Sequence, residues 1–458
     1  MTQSQFTAAD RTAFYSQEER LYNGFGSEGG MIRWGYFDNL ATADTKDFLT
    51  ACQRWNHYLL EKSGIDVNSK VLVISFNHHN TAIGLAEQIK CKVVSVDLSD
   101  YSTPSTPITV QDQDNLSFHQ ASVTELPFPD NSFTHVLSSA TFYRIREKEK
   151  ALQEVCRVLQ DNGNLILDDW VKKNTAMSDS NRDFMENLIG FHSNFSSKSY
   201  PQFFNQLGLM VFETVEFSEH LKKSYDLLSQ MAVDKYPELS SAYQKISAAI
   251  SNDEMEWYFY QCEKVRDRLS WIHEDKDTDQ IQKRYDAWSS LYEAELRQSW
   301  EIMPNNAANI LEKLQPNYHI SILDAGAGTG IVGEALQQKG YKNVTAIDIS
   351  SKMLKIAQEK QVYTALHQVN LEEKIVCLNV ESFDAILAIG VFTYGHASPT
   401  GLYHLLPLLK KDGIFILTVR LSNQPMQEAF KQLPWRLIEQ QEYMFEGAPF
   451  YIMAYQKN

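Results

Sequence analysis

Cysteine is scarce: Cys52, Cys91, Cys156, Cys262 and Cys377 are the five in 458 residues, with no CxxC pair and no metal-like spacing. That argues against a disulfide scaffold and a zinc module, and predicts buried free thiols in a reducing compartment. No uninterrupted apolar run approaches the ~20 residues of a membrane span. The opening MTQSQFTAADRTAFYSQEER has no apolar core, so it does not read as a secretory signal. Positive charge is also in short supply, with 42 Lys and Arg against 58 Asp and Glu and a formal net charge of −16. Phosphate backbones are bound by clustered Lys and Arg, so a nucleic-acid partner is disfavoured. These absences predict a cytoplasmic protein with neither nucleic acid nor membrane as partner. The 43% hydrophobic and 22% charged residues are globular values, and the length suggests two domains.

The most informative stretch runs from Ile320 to Ser350, ISILDAGAGTGIVGEALQQKGYKNVTAIDIS. Apolar residues lead into Asp324, glycines follow at Gly326, Gly328 and Gly330, and an apolar-periodic segment continues to Gly340. This is strand, tight loop and helix. A loop passing directly under a ligand has no room for Cβ atoms, and the helix after it presents free N–H groups and a positive dipole end. A second strand, Val344 to Ile347, ends in Asp348, an acid that can accept from both hydroxyls of a ribose. The dinucleotide fingerprint needs its third glycine at position 331, which is Ile, so a nicotinamide-dependent dehydrogenase is disfavoured.

The run D-A-G-A-G-T-G resembles motif I of the class I S-adenosylmethionine (SAM) methyltransferases. The resemblance implies that Asp324 faces the methionine part of the cofactor and Asp348 its ribose. It places Ile349 and Met353 about the adenine, and Asn370 with Leu371 where the family has an adenine-binding aspartate. An amide oxygen can still accept from the adenine amine. Gly390 to Tyr394 follow the fourth strand. Upstream, QKRYDAWSSLYEAELRQSW resembles the N-terminal helix of small methyltransferases of the kind that includes the Williams-Beuren region protein, in which Tyr285 would cover the cofactor. Tyr285, Trp288 and Tyr292 fall on one helix face; the last two fit ordinary packing on the sheet equally well.

A second strand–loop–helix–strand outline, VLVISFNHHNTAIGLAEQIKCKVVSVDLS, begins after Lys70. It keeps Asp97 in the relation of Asp348, but has side-chain-bearing residues from Phe76 to Thr81 where the other copy has glycines. Adjacent His78 and His79 on a loop rarely converge on a metal, and none is expected. The run ELPFPDNSF resembles the UbiE-like branch of the same family, with Ser122 at the place of its adenine-binding aspartate. RWGYFD, Trp170 after Asp168-Asp169, and His192 resemble parts of small-molecule methyltransferases of natural-product pathways. Glycines interleaved with Phe25, Trp34, Tyr36 and Phe37 make either a lid or a loop that pins its aromatics to the domain. SFTHVLSS matches SFDAILAI, and DNGNLILD matches KDGIFILT, so one plan occurs twice. The expected fold is α/β: two tandem Rossmann-like class I methyltransferase domains, each a mostly parallel seven-stranded sheet with an antiparallel last strand. The expected bounds are 1–270 for a degenerate copy with a helical insertion, 271–281 for a charged linker and 282–458 for the SAM-binding copy.

Methyl transfer is an in-line displacement at a sulfonium carbon and is favoured by alignment and by keeping water out. A base is needed only for a protonated acceptor, and His396 with Tyr394, in FTYGHASP, are the candidates. The competing role for His396 is a hydrogen bond to a loop carbonyl. The sequence therefore points to SAM-dependent methylation of a small molecule by the second domain. The first would serve substrate binding, shielding or dimerisation, and a homodimer is compatible with this. Two rival readings are two active domains methylating in succession and a non-catalytic SAM-binding scaffold.

Overall fold

The computed structural model describes residues 4–25, 34–76, 80–98, 114–173, 176–272, 278–392, 397–420, 424–445 and 448–458. The chain forms two compact units, Met1–Arg266 and Asp267–Asn458.

In the first unit the strands are β1 (Lys70–Ser75), β2 (Lys92–Asp97), β3 (Leu116–Gln120), β4 (Phe133–Ser138), β5 (Leu159–Lys172), β6 (Leu209–Glu216) and β7 (Met255–Lys264). They form one sheet in the order β3-β2-β1-β4-β5-β7-β6. The first five pair in parallel and β7 runs antiparallel to both β5 and β6. Every residue of β1 after Lys70 is buried. Its alternate side chains feed two separate cores: Val71 and Val73 pack with Trp55 and Trp257 on one face, Leu72 and Ile74 with Val136 and Tyr260 on the other. That is the pattern of a parallel sheet covered on both sides. The helical insertion expected in this copy is a pair of helices, Ser218–Ala232 and Pro237–Ser251, broken before Pro237. Among the aromatics of the glycine-rich loop, Trp34 and Phe37 are buried in the core.

The second unit repeats the plan with β8 (Ile322–Ala325), β9 (Val344–Asp348), β10 (Ala365–Gln368), β11 (Phe383–Phe392), β12 (Leu409–Val419), β13 (Trp435–Phe445) and β14 (Ala448–Lys457), in the order β10-β9-β8-β11-β12-β14-β13. β14 is antiparallel to β12 and β13, as the sequence led us to expect of the last strand. Of the stretch 271–281, residues 271–272 belong to the helix Arg268–Ile272, whose Trp271 is buried, and 278–281 to the start of the helix Thr278–Trp300, while 273–277 lie outside the described residues. The Arg284 guanidinium lies 4.7 Å from the Trp271 ring and donates to that residue's carbonyl. The thiols depart from expectation at one position: four are buried and Cys377 is exposed. Its neighbour Val376 is also exposed, in the connection between the strands Ala365–Gln368 and Phe383–Phe392.

Candidate functional site

β8 delivers the chain to a loop in which Gly326, Gly328 and Gly330 all take left-handed backbone angles, with φ of 75°, 53° and 94°. Only glycine adopts these cheaply. Their surroundings differ. A Cβ on Gly326 would stand 2.3 Å from Val391 Cγ2, and one on Gly330 would stand 3.2 Å from Ala357 and from the Tyr363 ring. A Cβ on Gly328 would meet nothing within 4 Å. Two glycines thus make room for the domain's own side chains. The third leaves a gap at the carboxyl end of the sheet, beside the start of the helix Ile331–Lys339.

Two carboxylates face this loop. Asp324 is fully buried, and its Oδ2 accepts a 2.6 Å hydrogen bond from the Tyr363 hydroxyl, which in turn accepts the Gly333 N–H at 3.1 Å. Asp324 Oδ1 is buried with no hydrogen-bond partner, as is Thr329 Oγ1. Burial pushes the Asp324 carboxyl up to about 7; the Tyr363 bond opposes the rise and the Asp348 charge adds to it. Asp348 Oδ2 accepts from Gly328 N–H and Oδ1 from Ser350 N–H, each at 2.8 Å. It too is pushed up, to about 6, by burial above all. The bonds made by these two acids are to backbone N–H and to a phenol, not to Lys or Arg. A carboxylate oxygen keeps lone pairs beyond those used here. The arrangement suits a ligand that brings positive charge and hydroxyls of its own. SAM, with an ammonium, a sulfonium and a ribose, fits it.

The helix Thr278–Trp300 is held against the helix Ser351–Glu359 at two points. Asp286 Oδ1 accepts from Ser350 Oγ at 2.5 Å and from Lys352 N–H at 3.2 Å, and Lys360 Nζ bridges Glu293 at 2.5 Å and Glu334 at 2.8 Å. Tyr285 and Tyr292, ring centres 6.5 Å apart, both feel the Asp348 charge, and burial chiefly raises their pKa. Trp288 is buried and donates to Glu295 at 2.8 Å.

The structure brings Asp324, the three glycines, Asp348 and Tyr285 together. Gly390, with φ of 83°, donates its N–H to Thr418 Oγ1 at 2.6 Å, and its neighbour Val391 is the residue against Gly326. Met353 is buried, and Ile349 accepts from Gln368 Nε2 at 3.0 Å. Asn370 is committed locally: its oxygen accepts Glu372 N–H and its Nδ2 donates to Glu373, both at 3.0 Å. The Leu371 carbonyl contacts His404 Nδ1 at 2.8 Å. Tyr394 and His396 lie outside the described residues, as do Asn77, His78 and His79. Tyr363 is a functional candidate that pattern reading missed. Tyr363 precedes β10 and carries no local motif; only folding carries it under the glycine loop. Among the described residues no group of three or more His, Cys, Asp or Glu converges as for a metal ion.

Register lets the two copies be compared. Val71 pairs with His135 and Val93, as Ile322 pairs with Ala385 and Val344. Counting from there, Asp97 falls on Asp348, but Val73 falls on Asp324. The first unit therefore lacks the buried acid. Ala140 falls on Gly390, and it too has positive φ (53°) and gives its N–H to a fifth-strand side chain, Asp168 Oδ1 at 3.1 Å. Trp257 Nε1 donates to the same oxygen at 3.1 Å, and burial pushes Asp168 up to about 7.

Residues 78–167 and residues 299–450 each match a family described as a methyltransferase domain. An uncharacterized protein of Haemophilus influenzae is 33% identical over 117 residues, which are 24% of this chain and 47% of that protein. The human Methyltransferase-like protein 27 is 29% identical over 188 residues, 40% of this chain and 76% of that one. The glycine/sarcosine/dimethylglycine N-methyltransferase of Actinopolyspora halophila is 24% identical over 213 residues, 45% and 38% of the two chains. With shares of 47%, 76% and 38%, the chain spans about half the length of the curated relatives it matches.

Proposed function

Because the chain belongs to the class I SAM-dependent methyltransferases, as two such domains in tandem, we propose that it methylates a small-molecule acceptor in its second domain. The observation that carries this is the open side of Gly328 beside the unpartnered Asp324 Oδ1 and the Asp348 carboxylate. Asp324 would hold the ammonium of SAM and Asp348 its ribose hydroxyls. Gly326, Gly328 and Gly330 let the backbone approach closely, with Gly390 beside them. Tyr285, Ile349, Met353, Asn370 and Leu371 would enclose the rest, Asn370 through the lone pair that Glu372 leaves free.

SAM supplies an electrophilic methyl group on a sulfonium. The side chains align the acceptor and exclude water, which lowers the barrier without charge relay. Tyr285 and Tyr292 on the helix Thr278–Trp300 are placed for that exclusion, and Trp288 packs beside Tyr292 at 5.0 Å. Tyr394 and His396 would receive an acceptor proton where there is one.

The first domain serves the acceptor rather than the cofactor, which the Val73 substitution supports. The glycine/sarcosine/dimethylglycine relative is named for small amine acceptors, consistent with a small molecule here. The persistence of Asp97 favours one rival, two domains methylating in succession.

Calorimetric titration with SAM decides between them. The proposal expects one site, lost in Asp348→Ala and kept in Asp97→Ala. Two sites, one of them sensitive to Asp97→Ala, make successive methylation the better reading. SAM binding with no methyl transfer to any acceptor would leave a scaffold.

A further inference from the structure

The first domain contains a cation, Arg144, that has no counter-ion among the described residues. Arg144 closes the short 3₁₀ turn Phe142–Arg144 after β4, on the side of the sheet where ligands of such folds gather. Its guanidinium lies 4.4 Å from the ring centre of Tyr15, 4.6 Å from Phe76 and 4.8 Å from Tyr143. Rings attract the charge and keep water away, but Arg144 Nε is buried with no hydrogen-bond acceptor. Trp170, stacked on Tyr143 at 4.3 Å, has a buried indole N–H that also lacks one.

Among the described residues no carboxylate forms an ion pair with Arg144. Glu18, an acid whose charge it feels, is bonded by the hydroxyls of Tyr22 at 3.3 Å and Tyr243 at 3.1 Å. Neighbouring cations are engaged elsewhere: Lys148 with Asp169, Arg11 with the Asn187 carbonyl, and Arg146 with His192. By the same register count Phe142 falls on Phe392, and both are fully buried. By that count Arg144 falls on Tyr394 of the sequence, in the stretch expected to face substrate.

The geometry points to a carboxylate-binding site in the first domain, in which Arg144 takes the carboxylate of a small molecule whose flat apolar body packs among the surrounding aromatic side chains. One uncompensated guanidinium matches a monoanion; a phosphate dianion would want a second cation. The guanidinium fork suits a carboxylate in two-point contact. The site deepens the reading of the first domain as the acceptor-binding one. Its test needs neither SAM nor methyl transfer, so the two stand or fall separately.

The test is titration of the full-length chain with benzoate, benzamide and phenyl phosphate, read by tryptophan fluorescence, since Trp170 and Trp34 lie 5.2 Å apart beside Tyr143. Benzoate should bind at least about tenfold more tightly than benzamide, the value of a charge-assisted bond. Arg144→Gln should erase that preference while leaving SAM titration unchanged, and Arg144→Lys should keep part of it. Equal affinity for benzoate and benzamide, no benzoate binding, or a preference that survives Arg144→Gln overturns the site. Tighter binding of phenyl phosphate than of benzoate overturns the carboxylate assignment. Should Arg144→Gln fail to fold by circular dichroism, the wild-type ratio and Arg144→Lys decide the matter.

Discussion

Gly326 and Gly328 are two residues apart, share a left-handed backbone and should respond to alanine in opposite ways. In Gly328→Ala the new methyl group meets nothing within 4 Å. Stability then falls only by the left-handed strain of an L-residue, about 1–2 kcal/mol. For a domain of this size, about 2–4 °C of melting temperature is lost per kcal/mol. In Gly326→Ala the methyl group would stand 2.3 Å from Val391 Cγ2, against about 3.5–4.0 Å for ordinary contact. Overpacking adds about 1–3 kcal/mol to the same strain. The second domain should lose at least about twice as much stability, or fail to fold. Binding reverses the order of interest. Gly328→Ala should fold and bind SAM at least about tenfold more weakly, because its methyl group fills the space assigned to the cofactor. Scanning calorimetry reports the first quantity and titration with SAM the second. Wild-type SAM affinity in folded Gly328→Ala would refute the placement of the cofactor, and equal destabilisation of the two variants would refute the steric argument.

Other predictions follow from the buried acids. Asp324 rises from its ordinary 3.8 to about 7 and Asp348 to about 6, so the folded domain holds more protons than the unfolded chain between about pH 4 and 7. The SAM-free second domain should therefore lose stability as pH rises through that window, while SAM affinity grows as the carboxylates ionise; melting curves at several pH values with and without SAM check both signs. Tyr363→Phe removes the bond that holds Asp324 down and strands the Gly333 N–H, so the pH midpoint of SAM binding should move upward and stability should drop by about 1–3 kcal/mol. In the first domain, Lys148→Met leaves Asp169 buried without its cation, a loss of about 3–5 kcal/mol that should lower the transition SAM does not shift. A drop in the SAM-sensitive transition instead would contradict the division at Arg266.

Much of this molecule is legible in one dimension. The apolar runs before Asp324 and Asp348 located β8 and β9, because a doubly covered sheet demands buried strands. The alternation of glycines after Asp324 declared a tight loop, because positive φ is a property of single residues. Duplication was readable as well, since matched strands keep matched patterns. What sequence could not supply was partnership across the fold. Tyr363 reaches Asp324 and Gly333 across 39 and 30 positions, and Asp286 reaches Ser350 across 64. No local pattern encodes such distances. That the turn after β10 puts the Asn370 amide on Glu372 N–H and the Glu373 carboxylate was likewise invisible in the sequence. The loss of the buried acid in the first copy became visible only through strand register, which sets Val73 on Asp324. Nothing in the YRIREKEK run singles out Arg144. Only packing showed it withdrawn among three rings with its Nε unpaired. Chain-local properties such as torsion preference and hydropathy are written in the sequence; desolvation and hydrogen-bond pairing are properties of the assembled fold and appear only there.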